Sequence, residues 1–142
     1  MSYAPVTREE MRSLKAKNDA KIKNMQIDMI VSMIYRAAIS FATTNSDTIY
    51  RWPYNNQQTV ACITDNLQNH YITYKTLLEN MEEILKRLQV LFPESLIENK
   101  KVTMARGRDG KDYDISTLDD KLLPFIDMRV RITSDTVVID WS

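Results

Sequence analysis

Hydrophobic residues recur at two different spacings along this chain, and the change of spacing divides it. From residue 8 to about residue 43 the apolar positions fall at helical intervals, with no Gly or Pro to interrupt them. Ile27, Ile30, Val31, Ile34, Ala38 and Phe41 form one stripe, and Met25, Met29 and Met33, four apart, form a second. Before Met25 the pattern thins to Met11, Leu14 and Ile22 among Lys, Asn, Asp and Gln. Thr7-Arg8-Glu9-Glu10 has the form of a capping box, in which the Thr7 hydroxyl accepts from the amide three residues on. The spacing predicts one helix of roughly 50 Å. It is expected to be buried at its C-terminal end and to project at its N-terminal end, over residues 1–24.

Thr43, Thr44, Asn45, Ser46 and Asp47 favour local side-chain hydrogen bonds and end the helix. Residues 48–50 suit a short strand, which Pro53 confines to a sheet edge. A helix is expected to resume near Thr59 and run past Cys62, Ile63 and Leu67 towards His70. Leu77, Leu78, Met81, Ile84, Leu85, Leu88 and Leu91 then mark an amphipathic helix over residues 76–92, which Pro93 stops. Glu82–Lys86 and Glu83–Arg87 support it as acid-first pairs at helical spacing. Residues 25–93 therefore read as mainly helical.

Beyond Pro93 the period falls to two. Residues 95–105 alternate in part, ending in Val102 and Met104, and Tyr113 and Ile115 alternate beyond the glycines. Between them Asp109-Gly110 is a strong hairpin signal. Ser116 or Thr117 is placed to cap a short helix, with Asp119 and Asp120 in its first turn. Leu118, Leu122, Leu123, Phe125 and Ile126 would form its buried side and Pro124 its end. Met128, Val130 and Ile132 alternate as a strand, Thr133-Ser134-Asp135 reads as a turn, and Val137, Ile139 and Trp141 as a last strand. Helices first and strands after predict an α+β fold: a long N-terminal helix and further helices on a small antiparallel sheet of three or four strands in the C-terminal half. Residues 1–142 make one domain, with the sheet and one short helix in residues 94–142.

Charge changes this picture only locally. Nineteen basic and nineteen acidic side chains cancel, whereas nucleic-acid-binding domains of this size carry a basic excess. Yet residues 8–23 hold six basic and three acidic side chains, and residues 94–142 hold eight basic and ten acidic. One cysteine, Cys62, and one histidine, His70, exclude an intrachain disulfide and a thiolate zinc site. The polar N-terminus lacks an apolar signal region. The apolar run around Met29–Ala42 is interrupted by Ser32, Arg36 and Ser40, so neither secretion by a signal peptide nor a membrane span is expected.

The stretch Ala105-Arg-Gly-Arg-Asp-Gly-Lys-Asp-Tyr-Asp-Ile-Ser116 holds both glycines and a cluster of charge. A phosphate loop needs four residues between its glycines, and here there are two. A calcium loop begun at Asp112 would put Thr117 where glycine is required and Leu123 where a bidentate Glu is required. The hairpin needs nothing further. Carboxylates at Asp112, Asp114, Asp119 and Asp120 are the residue type that two-metal sites use, but helix capping and turn formation account for them as well. His70 reads as a surface histidine and Cys62 as a small buried hydrophobe. No cofactor motif, catalytic constellation or metal-ligand set emerges.

Three segments are familiar together: LKRLQVLFPESLI (residues 85–97), GRDGKDYDISTLDDKLLPFID (residues 107–127) and VVIDWS (residues 137–142), with a looser echo in MIYRAAISFA. They resemble short proteins encoded by nucleocytoplasmic large DNA viruses. The resemblance implies a viral origin and a virion component, such as a minor capsid or capsid-cementing protein, located in the virion or in the host cytoplasm or nucleus. It carries no catalytic residue.

Three functional readings follow. The leading one is a non-enzymatic structural protein that binds other subunits, capsid proteins or its own copies. Met11, Leu14, Met25, Met29, Met33, Tyr50, Trp52 and Tyr54 are its candidate interface residues. The alternative is a nucleic-acid-binding accessory protein using Arg8, Arg12, Lys15, Lys17, Lys21 and Lys23. The third is a small metal-dependent enzyme using the aspartates between Asp112 and Asp120.

Overall fold

The structure, a computed structural model, describes residues 3–55, 59–65 and 67–142. Helix α1 spans Arg8–Thr44 as one unbroken element, and the Thr7 hydroxyl accepts from the Glu10 amide at 3.1 Å. Strand β1 (Ile49–Tyr54), strands β2 (Thr59–Asp65) and β3 (Gln68–Thr73), and helix α2 (Tyr74–Leu91) follow. Strands β4 (Leu96–Gly107) and β5 (Asp112–Asp114), two 3-10 turns (Ile115–Thr117 and Asp120–Phe125) and strand β6 (Ile126–Asp140) complete the chain.

The fold is α+β. A four-stranded antiparallel sheet has the order β1-β6-β4-β5, and β2 and β3 form a separate two-stranded sheet. β1 lies at an edge, where Pro53 can lack its amide without breaking a ladder between two neighbours. The β4–β5 hairpin turns through Gly110, whose φ of +80° is a conformation that side chains with a Cβ adopt only under strain.

One core joins these elements. Ile27, Ile30, Val31, Ile34 and Ala38 of α1 meet Leu77, Met81, Ile84 and Leu88 of α2, Ile63 and Ile72 of the β2–β3 hairpin, and Val137 and Ile139 of β6. Each fully buried Ile or Leu contributes about 1.5–3 kcal/mol of transfer free energy.

Three local expectations are corrected. The helix expected over residues 59–70 is the β2–β3 hairpin. Its β-branched residues Thr59, Val60, Ile63, Thr64, Ile72 and Thr73 suit a pleated surface, and Ile63 and Ile72 turn inwards from opposite strands. Residues 25–93 thus contain three strands as well as helix. The turn expected at Thr133-Ser134-Asp135 is continuous strand, because all three residues pair with β4, through Thr103, Val102 and Lys101. The short helix expected after Ser116 or Thr117 is two 3-10 turns whose caps are Asp114 and Asp119, and Leu122 and Leu123 are exposed rather than buried.

Candidate protein interface

All side chains of residues 8–21 are exposed, so the first four turns of α1 leave the body of the molecule as a bare helical arm, about 21 Å long. An isolated helix of that length is marginal in water. The arm is continuous with a buried helix, which removes the cost of nucleation. Lys15 Nζ to Asp19 Oδ2 at 2.8 Å adds an i,i+4 pair on its surface. The arm departs beside a clamp. Arg87 of α2 donates to Asp28 at 2.6 Å and Asn24 at 2.8 Å, and to Glu83 of its own helix at 3.0 Å. The hydrogen bond to Glu83, with the charges of Asp28 and Glu83, holds the guanidinium above its ordinary pKa. A cleft of about 310 Å³ opens at the arm's root between Ala20, Lys23, Asn24, Ile27, Glu83 and Arg87.

Met11 and Leu14, 58% and 57% exposed, lie on this arm. At 3.6 residues per turn they fall in line with Ile22, Met25, Met29 and Met33, so one apolar stripe crosses from arm to body. Its environment changes on the way. Met25 and Met29 are half-buried against the core, and Met33 is again exposed at the molecule's rim.

The structure divides the other candidates. Tyr54 is buried, and Tyr50 and Trp52 are half-buried against the core. The ring of Tyr50 meets Phe41, and that of Tyr54 meets Trp52 and Tyr74. The Tyr54 hydroxyl donates to Asn99 at 2.6 Å, and burial pushes its pKa up to about 12. These three rings join β1 to the helices and are not presented with Met11 and Leu14.

Arg8, Arg12, Lys15, Lys17, Lys21 and Lys23 are all exposed on or beside the arm. The helical period puts Arg8, Arg12, Lys15 and Lys23 on one side, and Lys17 and Lys21 on another.

The aspartates hold the hairpin and its turns. Asp114 is buried beneath Arg51, whose Nε lies 2.8 Å from its carboxylate, and also accepts from the Ser116 amide and hydroxyl. Burial pushes this carboxyl up, but the bonds from Ser116 and Arg51 outweigh it and leave the pKa below the ordinary carboxylate value. Asp112 faces Arg106 at 3.6 Å, and Asp119 accepts from the Lys121 amide. Asp109 accepts from Tyr113 and from the Lys111 amide, which keeps its carboxyl low. Among the described residues no three His, Cys, Asp or Glu side chains are grouped to hold a metal ion. Cys62 is exposed on β2, not a buried hydrophobe, because the hairpin turns Ile63 rather than its neighbour into the core. His70, paired with Ile63 across the hairpin, is half-buried.

Sequence reasoning passed over Arg51 altogether. Its partner is sixty-three positions away and is reached only because β1 and β5 flank the same sheet. Comparison with known protein families, with characterised proteins and with solved structures finds no match to this chain.

Proposed function

We propose that this protein is a non-enzymatic structural subunit that self-assembles, the arm of one copy docking on the acidic body of the next. The observation that carries this reading is the arm itself, an exposed helix that presents Met11 and Leu14 with no partner among the described residues.

Charge selects the occupant. Residues 8–23 carry six basic and three acidic side chains, and the rest of the chain carries thirteen basic and sixteen acidic. Arm and body therefore have equal and opposite net charge. Arm against arm would place cations together, whereas arm against body is complementary. Such a contact is heterologous: it propagates from copy to copy and builds rings or extended arrays. An array-forming subunit fits the minor capsid or capsid-cementing role that the viral resemblance implies.

Sedimentation velocity and light scattering test the proposal. The expected result is a mass that rises with concentration above that of one chain, falls with added salt, and returns to one chain in Met11→Glu/Leu14→Glu. A single chain at every concentration would overturn it. Proteomics of purified virions tests the viral setting. The grouping of Arg8, Arg12, Lys15 and Lys23 on one side of the arm favours a second reading, nucleic-acid binding; a salt-sensitive DNA titration by a protein that stays monomeric would establish it instead.

A further inference from the structure

Helices α1 and α2 meet along a seam whose outer side faces solvent. Arg87 of α2 reaches Asn24 and Asp28 of α1, and the ring of Phe92, which caps α2, lies 5.5 Å from that of Tyr35. Ile39 follows Tyr35 by one helical turn on the same face of α1. The two ends of the seam differ. At the arm's root it is the polar cleft walled by Lys23, Glu83 and Arg87. At the far end it is apolar: Tyr35, Ile39 and Leu91 are 39%, 44% and 46% exposed, and Phe92 is half-buried. Both ends of the connection from β1 to β2 are remote from this patch. The Tyr54 ring touches Tyr74 and Thr59 pairs with Thr73, both at the start of α2, and the patch lies at its end, about 27 Å along the helix.

The arm matches this seam in length, polarity and charge. From Asn24 to Ile39 the seam is about 22 Å long, against about 21 Å for the arm. The patch is apolar, and the arm brings Met11 and Leu14. Carboxylates at Asp28, Glu83 and Glu94 stand along the seam against cations at Arg36 and Arg87, and Arg87 is already held by three acceptors. On the arm, the helical period flanks Met11 and Leu14 with Lys17 and Lys21 on one side and with Arg8 and Lys15 on the other. A second stretch of exposed apolar residues, from Leu122 to Ile132, is a poorer acceptor. Residues 119–132 hold three acids and three bases, and so offer a basic helix no net attraction. Nor can an arm serve its own chain, because one unbroken helix holds Leu14 about 32 Å from Tyr35.

We infer that the α1–α2 seam, with the Tyr35–Phe92 patch at its end, is the surface that receives the arm of a neighbouring copy. The inference rests on the assembly proposed above and names its acceptor. Met11 and Leu14 of one copy pack on Tyr35, Ile39 and Leu91 of the next, and the arm's cations face the carboxylates of the seam. An amphipathic helix laid in a groove between helices is a recurring mode of recognition, read from its apolar anchors. The apolar contact supplies affinity, and the charges choose arm against body over arm against arm.

The test uses the full chain, with Cys62→Ser as the background for added cysteines. In sedimentation velocity, Ile39→Glu is expected to raise the dissociation constant of assembly by about tenfold or more, whereas Ile132→Glu leaves it unchanged. Both positions are exposed, and unchanged melting temperatures verify the fold. Under mild oxidation, a mixture of Leu14→Cys and Ile39→Cys chains is expected to form an intermolecular disulfide that neither chain forms alone. Assembly that is lost in Met11→Glu/Leu14→Glu but insensitive to Ile39→Glu would overturn this inference and leave the arm's role standing. A mixture that assembles without cross-linking would do the same. A chain that stays single at every concentration would overturn both.

Discussion

The two ends of α1 share a continuous backbone and an apolar stripe, yet they live in different solvents. Between Ile27 and Ala38 the helix sends five residues into the core, and Ile30 and Ile34 are 1% and 0% exposed. Between residues 8 and 21 it sends none. The contrast does not follow from helix propensity, since the arm is rich in Lys, Glu, Arg and Ala while the buried end is rich in β-branched Ile and Val. The buried end is helical because helices and sheet press on it. The arm is helical because it continues that end.

The largest test of this contrast is Ile34→Ala against Leu14→Ala. The first opens a cavity in the core and is expected to cost about 3–5 kcal/mol in chemical denaturation. Next comes the latch beneath the sheet. Arg51→Ala leaves the Asp114 carboxylate buried without its cation and should cost about 3 kcal/mol. The same pair makes the body acid-sensitive. Asp114 titrates below its unfolded value, so its contribution is complete above the ordinary carboxylate pKa of about 4 and is lost as pH falls through the lower folded value. Melting temperatures measured from pH 5 downwards should show the fall in the parent, and a weaker dependence in Asp114→Asn.

A smaller effect is expected at Gly107. A Cβ there would stand 2.7 Å from the Tyr113 ring and 3.0 Å from that of Phe125, so Gly107→Ala should cost about 1–3 kcal/mol by denaturation. The smallest effect completes the comparison. Leu14→Ala in the monomer should change stability by less than about 0.5 kcal/mol. Arm amides should exchange with deuterium by local fraying, whereas those around Ile34 wait for global opening.

What could be read along the chain was what depends on near neighbours. Thr7 signalled the start of α1, the leucines and Pro93 gave α2, Asp109-Gly110 gave its hairpin, and Pro53 placed β1 at an edge. The β2–β3 hairpin lacked such punctuation. Its turn puts Leu67 at φ 64°, with neither Gly nor Asp-Gly to announce it. Thr133-Ser134-Asp135 resembled a turn because its residues form turns in isolation, and pairing with β4 overrode that preference. In the candidate interface, Met11 and Leu14 were recognisable as apolar residues in a polar field. Which of Met25, Met29, Tyr50, Trp52 and Tyr54 would be covered depended on contacts formed by distant parts of the chain.

The central position of β6 bears on the order in which the molecule can form. Among the described residues β1 pairs within the sheet with β6 alone, and Ile49 lies opposite Asp140. During synthesis, therefore, β1 emerges ninety-one residues before its last partner and waits with both edges open. Pairings this remote in sequence are slow to close and leave strands exposed to wrong partners. The amide-free Pro53 inside β1 is a built-in safeguard for that interval, because an edge that cannot donate at one position is a poor template for a stray strand.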